Sequence, residues 1–301
     1  PNDFTHILTF TDPPLIAVLG RVAQRIKRWH FIYCIQDLYP DTALALGLMR
    51  EGPMFRFLHR LNRKLLLRAD TVVPISKPME DHIRALSNSQ ASQIRIPNWA
   101  DGDKVKLWPE KDKALLAELG MADCYTIIYA GNMGLAQQVD TLIELVKRCK
   151  GINSIQFLFI GGGVKKQLIE ETISAHSINN ARVLAHQPKT ALHRFLAIGD
   201  IGIVSLAPAM EGLAIPSKTY SYLAAGLPIL SIASPHSELK DYADLDLGVH
   251  FTPESINEIV HFLSEEARNG NRFDRTSIRK IFDEHFARNR ITRQYAELIQ
   301  Q

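Results

Sequence analysis

One feature restricts the fold of this chain more than any other, the alternation of short apolar runs with stretches of helical spacing. From Cys124 onward, β-branched and aromatic runs at residues 125–129, 155–160, 182–185, 201–206, 228–232 and 249–251 are separated by helical apolar spacing at 139–149, 165–175, 190–198, 217–225 and 254–265. Short strands that are apolar throughout are buried on both faces, and strands that take turns with helices form parallel sheets. This half therefore reads as one complete doubly wound domain. Before it, strands at 5–10, 31–35, 71–75 and 93–96 alternate with helices, the first of which, at 13–26, is announced by Asp12 and two prolines. The expectation is an α/β chain of two Rossmann-like doubly wound domains, the first one short.

Pro, Gly, Asp and Lys cluster at 97–113 and the apolar period lapses there, which places a boundary. The division expected is residues 1–105, residues 106–270, and a helical tail at 271–301. The apolar stripe of that tail, Ile278, Ile281, Phe282, Phe286, Ile291, Tyr295 and Leu298, needs a partner surface back on the first domain. The chain opens at Pro1 and runs almost directly into a strand, so the first domain is expected to lack its initial βαβ portion.

Bulk properties exclude some functions. A net charge of +3 over 301 residues gives no reason to expect nucleic acid as a partner. Cys34, Cys124 and Cys149 lack CxxC spacing and suit a reducing compartment. No apolar run approaches the roughly 18–20 residues that span a bilayer. A cytoplasmic protein is expected, soluble or held peripherally at the inner face of a membrane.

Two segments can carry chemistry. In residues 127–142, IIYAGNMGLAQQVDTL, Gly131, Asn132, Met133 and Gly134 follow a strand and precede a helix. Such a turn lets backbone approach a phosphate, and the free amides of a helix start attract anions, but the same GxxG is also an ordinary strand-to-helix turn. A dinucleotide dehydrogenase is disfavoured, because Gly161, Gly162 and Gly163 stand where an acidic ribose ligand would end the second strand. There is also no GxxxxGK[ST] loop. The second segment is residues 210–230, MEGLAIPSKTYSYLAAGLPIL. Glu211 there precedes a glycine and a loop, and Lys218 opens a helix. A carboxylate at a sheet tip can orient sugar hydroxyls and a lysine at a helix start can stabilise a departing diphosphate; both can equally be solvated loop charges.

That block resembles the Glu-Gly motif and Ala-Gly-x-Pro turn of family 4 glycosyltransferases, particularly the bacterial exopolysaccharide and O-antigen branch, WbuB-like enzymes among them. The same family is echoed, in order along the chain, by Asp37-Leu38-Tyr39-Pro40, Ile96-Pro97-Asn98-Trp99, Phe159-Ile160-Gly161-Gly162-Gly163 and Gly199-Asp200-Ile201-Gly202. The resemblance implies the GT-B fold, with the donor nucleotide on the second domain, the acceptor on the first and chemistry in the cleft between them. It implies a retaining, metal-independent transfer from a nucleotide-diphosphate sugar, UDP-linked by family habit, to a glycan or lipid-linked acceptor in cell-surface polysaccharide synthesis. No cofactor is implied; the nucleotide sugar is a co-substrate. Carried over by position, Glu211, Lys218 and Asp37 are the catalytic candidates. Gly131, Asn132, Met133, Gly134, Gly162, Gly212, Leu213, Ala214, Ser217 and Ser221 are the donor-binding ones, with His186 and Lys189 near the base.

The sequence departs from the family at three places. Asn132, Gln137 and Gln138 replace a basic pair after the glycine turn, Ser221 stands where a ribose-binding glutamate is usual, and Gln36-Asp37 replaces a His-acid pair. Asp37 can orient a hydroxyl or cap the following turn. Two Asp-x-Asp matches, at Asp101–Asp103 and Asp244–Asp246, fall in turn-like segments, and the histidines share no ligand spacing. No metal site is expected.

Opening at Met54, residues 54–68, MFRFLHRLNRKLLLR, combine Phe55, Leu58, Leu61, Leu65 and Leu66 with Arg56, Arg60, Arg63, Lys64 and Arg68. This is either a helix lying on anionic lipid or a cover helix with a solvated basic face. Rival functional readings are a non-catalytic, glycosyltransferase-like nucleotide- or partner-binding subunit and a sugar-nucleotide epimerase.

Overall fold

The computed structural model describes residues 4–87, 91–108, 110–188 and 190–300. The chain forms two compact units, one of Pro1–Asn98 with Pro208–Ile215 and Ile291–Gln301, the other of Trp99–Ala207 with Pro216–Arg290.

The first unit runs β1 (His6–Thr9), α1 (Ile16–Lys27), β2 (His30–Ile35), α2 (Asp41–Ala45), α3 (Pro53–Arg68), β3 (Thr71–Pro74), α4 (Lys77–Ser87) and β4 (Ser92–Gln93). Its sheet has the order β1-β2-β3-β4, every pair parallel. Phe31 to Ile35 are all buried, as a strand covered on both faces must be. Helix α1 comes close to the sheet at Gly20, where a Cβ would lie 2.6 Å from Cε2 of Phe31. Helix α3 turns Leu58, Asn62, Leu65 and Leu66 inward, and Asn62 accepts a hydrogen bond from the Tyr33 hydroxyl at 3.0 Å. Its apolar side thus belongs to the core, leaving a basic outer face. The ladder of β4 stops at Gln93, the first residue of the strand expected at 93–96. The amides of Ile94 and Ile96 still donate to the carbonyls of Val72 and Pro74, each at 3.1 Å.

The second unit runs α5 (Lys113–Glu118), β5 (Tyr125–Ala130), α6 (Val139–Arg148), β6 (Ile155–Ile160), α7 (Lys166–Ala175), β7 (Ala181–Leu184), α8 (Leu192–Ala197), β8 (Ile201–Ser205), α9 (Lys218–Ala224), β9 (Ile229–Ile232), α10 (Leu239–Asp244), β10 (Gly248–Phe251), α11 (Ile256–Asn269) and α12 (Arg275–His285). Six parallel strands lie in the order β10-β9-β8-β5-β6-β7. Strands β5 and β6 are buried at every position, and their aromatic residues Tyr125, Tyr129, Phe157 and Phe159 form the core with α6 and α11. Asp200 ties strand entrances together, accepting from Lys111 Nζ at 2.6 Å and from the Thr126 amide at 2.7 Å. Buried Glu266 accepts from Nε of Arg272 at 2.5 Å and from its amide at 3.1 Å.

The tail is two helices instead of one. Helix α12 ends at His285 because Phe286 and Ala287 turn to Ala100, whose amide donates to the Phe286 carbonyl at 3.3 Å. The Arg288 amide donates to the Ala100 carbonyl at 3.0 Å, and α13 (Arg288–Ile299) then begins. Helix α12 packs on α9, and Arg279 donates to the carbonyls of Gly102, Val105 and Ala224. From Ile291 onward the chain belongs to the first unit, where the Tyr295 ring lies 6.0 Å from that of Phe10. Cys34, Cys124 and Cys149 are free thiols. Among the described residues, no helix is long and apolar enough to cross a membrane.

Candidate active site

In the second unit the strand order reverses between β5 and β8, the first strand and the fourth of the sheet. In open parallel sheets ligands sit outside the carboxyl ends of the strands at such a switch point. Two glycine turns lie there. Gly131 to Gly134 leave β5 and Gly161 to Gly163 leave β6, and the turns interlock through backbone. The Gly131 amide donates to the Ile160 carbonyl at 2.8 Å and the Met133 amide to the Gly162 carbonyl at 2.7 Å. A Cβ on Gly161, at φ +140°, would fall 2.1 Å from the Gly131 carbonyl oxygen, and one on Gly163, at φ +129°, 2.6 Å from that of Met133. Only glycine fits these two positions. Gly162 differs, because a Cβ there meets nothing within 4 Å.

Lys218, the first residue of α9, reaches to this turn. A Cβ on Gly131 would lie 3.1 Å from Lys218 Cε. The Lys218 ammonium is buried, has no hydrogen-bond partner among the described residues and sits 3.2 Å from the centroid of the Tyr129 ring. Burial pushes its pKa well below the ordinary 10.5. Tyr129 is itself fixed, its hydroxyl donating to the Asn132 carbonyl at 2.6 Å. The Tyr222 hydroxyl of α9 accepts from the Ala130 amide at 2.6 Å, which ties α9 to the end of β5. An ammonium whose N–H groups meet no acceptor among the described residues, beside a glycine turn, can receive an anion.

A second group of candidates lies in the first unit. Residues Pro208–Ile215 belong to it. The Leu38 amide donates to the Leu213 carbonyl at 2.9 Å, Asp37 pairs with Ala214 in an antiparallel bridge, and buried Leu213 joins the first unit's core. Gly212 has φ +68°, and a Cβ there would lie 3.0 Å from the Pro78 carbonyl oxygen. The amide of Asp37 is held by Thr11 Oγ1 at 3.1 Å. Desolvation, then the Asp12 charge, raise the pKa of its carboxyl above the ordinary value. The structure thus gathers Asp37 with the loop of Glu211, Gly212, Leu213 and Ala214.

Two family matches fall on these units. Residues 3–99 match the glycosyl transferase 4-like domain, and residues 117–275 match the glycosyl transferases group 1 family. The chain belongs to the group 1 glycosyl transferases. It is 25% identical to WbjE of Pseudomonas aeruginosa, over 79% of this chain and 60% of that protein. It is 26% identical to WcaI of Escherichia coli (strain K12), over 82% and 63%; both are named as glycosyltransferases, the second in colanic acid biosynthesis. The chain thus spans about 60% of the length of these curated relatives. Among solved structures it resembles Anabaena Alr3699/HepE in complex with UDP-glucose, with TM-score 0.77 and 15% identity over 97% of this chain and 78% of that one. It also resembles a sucrose-phosphate synthase from Thermosynechococcus elongatus, with TM-score 0.75 and 15% identity over 99% and 73%. At such identity the likeness establishes the fold, which is the GT-B class expected from the sequence.

Within this group 1 glycosyl transferase, the remaining candidates are placed as follows. Asn132, Met133 and Gly134 continue the β5 turn, the Gly134 amide donating to Gln137 Oε1 at 3.1 Å. Met133 is buried in the core. Ser217 is exposed ahead of α9 and caps no amide, and Ser221 is half-buried on that helix. His186 follows β7, and Lys189 lies outside the described residues. Asp101 is engaged locally, accepting from the Asp103 amide at 3.2 Å and pairing with Lys104 and Arg288 at 3.3 Å each. Sequence reasoning missed Tyr129 and Tyr222. A tyrosine closing a strand before a glycine turn was the available signal for the first; nothing local distinguished the second from a core aromatic.

Proposed function

We propose that this chain transfers a sugar from a nucleotide-diphosphate sugar, UDP-linked, to a glycan or lipid-linked acceptor in cell-surface polysaccharide synthesis. The second unit takes the donor and the first takes the acceptor. The observation that carries the reading is the Lys218 ammonium, buried and, among the described residues, without a hydrogen-bond partner beside the Gly131 turn at the switch point of the sheet. Family membership and the UDP-glucose bound by Alr3699/HepE, a protein of the same fold, support it.

In this reading the diphosphate lies along the Gly131–Gly134 turn and draws Lys218 from beneath the Tyr129 ring. The anomeric carbon–oxygen bond to the diphosphate breaks as the acceptor oxygen attacks on the same face, and configuration is retained. The acceptor proton passes to the departing diphosphate oxygen. Lys218 and backbone amides stabilise the leaving group without a divalent ion. Glu211 and Asp37 orient sugar or acceptor hydroxyls. The basic outer face of α3, which includes Arg56, Arg60 and Lys64, makes peripheral contact with anionic lipid at the inner face of the membrane.

The test is nucleotide release from UDP-sugars with and without polyprenyl-linked or free glycan acceptors, in the presence of EDTA, with the product's anomeric configuration read by NMR. Acceptor-dependent release of UDP, retained in EDTA and lost in Glu211→Ala, is expected. Epimerisation of free UDP-sugar with no acceptor requirement, or nucleotide binding with no turnover on any acceptor, contradicts the proposal.

A further inference from the structure

The second unit holds a cavity at the edge of its sheet opposite the glycine turns. Its volume is about 370 Å³, and it lies between the α5–β5, α6–β6 and α7–β7 connections, at the amino ends of β5, β6 and β7. At about 3.3 Å per residue, the six residues of β5 separate it from the Gly131 turn by roughly 17 Å. The volume falls at the small end of the range for small-molecule sites, about 300–1,000 Å³.

Three side chains fix its walls. The guanidinium of Arg182, on β7, donates to the carbonyls of Leu119 and, at 2.9 Å, Gly120. Gln156 of β6 donates to the Ala122 carbonyl at 2.7 Å and to Thr126 Oγ1 at 2.8 Å. Asn180 Nδ2 donates to the carbonyls of Cys149 at 2.9 Å and Ile155 at 3.1 Å. The helices run back against the parallel strands, so their carbonyl ends gather at this edge and disfavour an anion. Here Arg182 and Asn180 already occupy carbonyls at the ends of α5 and α6.

The groups that remain have a definite chemistry. The lining carries two cations, Lys150 and Arg182, and among the described residues no carboxylate. Asp123, next to the lining in sequence, pairs with Lys113 at 2.8 Å. The carbonyls around Nδ2 orient the Asn180 amide, which leaves its Oδ1 buried and without a donor among the described residues. Asn153, Ser177 and Asn179 add exposed amide and hydroxyl groups to the lining. A ligand that answers all of these has an anionic group for the cations and hydroxyls for the amides.

We propose that this cavity binds a monosaccharide phosphate, its phosphate held by Lys150 and Arg182 and its hydroxyls by the amides of Asn153, Asn179 and Asn180. The site is separate from the glycine turns and does not rest on the transfer reading.

Cys124 lines the cavity and is half-buried, whereas Cys34 and Cys149 are buried, so alkylation of Cys124 at alkaline pH, followed by peptide mass spectrometry, reports occupancy. The probes are the phosphates of glucose, galactose and N-acetylglucosamine, the free sugars, inorganic phosphate and UDP, each also titrated by calorimetry. Expected is that a sugar phosphate slows alkylation on the order of tenfold, in the wild type and in Lys218→Met alike, and that Lys150→Glu weakens its binding on the order of tenfold. Lys150 is exposed, so that variant should melt with the wild type. Arg182→Gln, which also loses the tether to α5, is the second variant. No protection and no heat from any sugar phosphate overturns the proposal. Equal protection by inorganic phosphate makes the cavity a bare anion site and overturns the sugar assignment. Protection by UDP that Lys218→Met abolishes, with none by sugar phosphates, places the effect at the glycine turns and overturns it as well. Protection by a sugar phosphate in a chain that binds no UDP upholds this site and sinks the donor reading alone.

Discussion

Replacing Lys218 with methionine should stabilise the folded chain and remove its response to nucleotide. The ammonium is buried without a hydrogen bond among the described residues; even a neutral polar group so placed costs about 1–3 kcal/mol in proteins, and a charge costs more. The face of Tyr129, 3.2 Å away, returns about 0.5–2 kcal/mol. The difference is at least roughly 1 kcal/mol, which in a unit of this size moves the melting temperature by about 2–4 °C or more. Methionine fills the space out to the position of Lys218 Cε beside Gly131 and stops one atom short of the ammonium. The sign with pH follows from the lowered pKa. Because the folded state holds fewer protons than the unfolded one, wild-type stability rises with pH between the lowered folded value and the ordinary 10.5. The advantage of Lys218→Met should therefore be largest at low pH and shrink as pH rises toward 10.5. Scanning calorimetry of both proteins over that range, with and without UDP, checks each part. A variant that melts lower than the wild type at every pH and still gains the same stabilisation from UDP would refute the reasoning.

Other outcomes follow from the same geometry. Gly161→Ala should lose about 3 kcal/mol or more, since its Cβ would overlap the Gly131 carbonyl. Gly162→Ala should melt within about 0.5 kcal/mol of wild type and yet weaken UDP binding, as read by melting and calorimetry side by side. Arg272→Ala leaves the buried Glu266 carboxylate with the amide of residue 272 and without its guanidinium partner, and should destabilise by about 1–3 kcal/mol in a denaturant titration, the cost of a buried acceptor left short of a donor. Asp37 has a raised pKa, so the folded state binds the extra proton and stability falls as pH rises from the ordinary value of 3.8 through the raised one. Asp37→Asn should flatten that part of the pH–stability curve and reduce transfer to acceptor.

The second unit was legible because its strands are apolar at every position and its helices carry helical spacing, so the alternation of period specified both type and order. The first unit's β4 was not, since Arg95 and Pro97 sit two and four residues past the last ladder pair and the segment there pairs only through alternate amides. The break at Phe286 was hidden for another reason. The apolar stripe runs continuously from Ile278 to Leu298, and the break is imposed by hydrogen bonds from Ala100, nearly two hundred residues away in sequence. At the site, the glycines and Lys218 were visible as a motif. That the lysine is buried against Tyr129 depends on a packing of β5 against α9 that no local pattern records. The same limit applies to α3: its spacing showed an amphipathic basic helix, but which side faced the core was decided by the Tyr33–Asn62 contact and the β2–β3 sheet beneath.

The proposed function requires a nucleotide diphosphate to bind at the β5 glycine turn through Lys218. Titration calorimetry of UDP and UDP-sugars into wild type and Lys218→Met, in EDTA, tests it directly. Metal-independent binding to the wild type, lost or weakened at least about tenfold in the variant, is predicted, tenfold being the effect of one charge-assisted hydrogen bond. Equal affinity in the two proteins, or no binding of any nucleotide to the wild type, would contradict the claim.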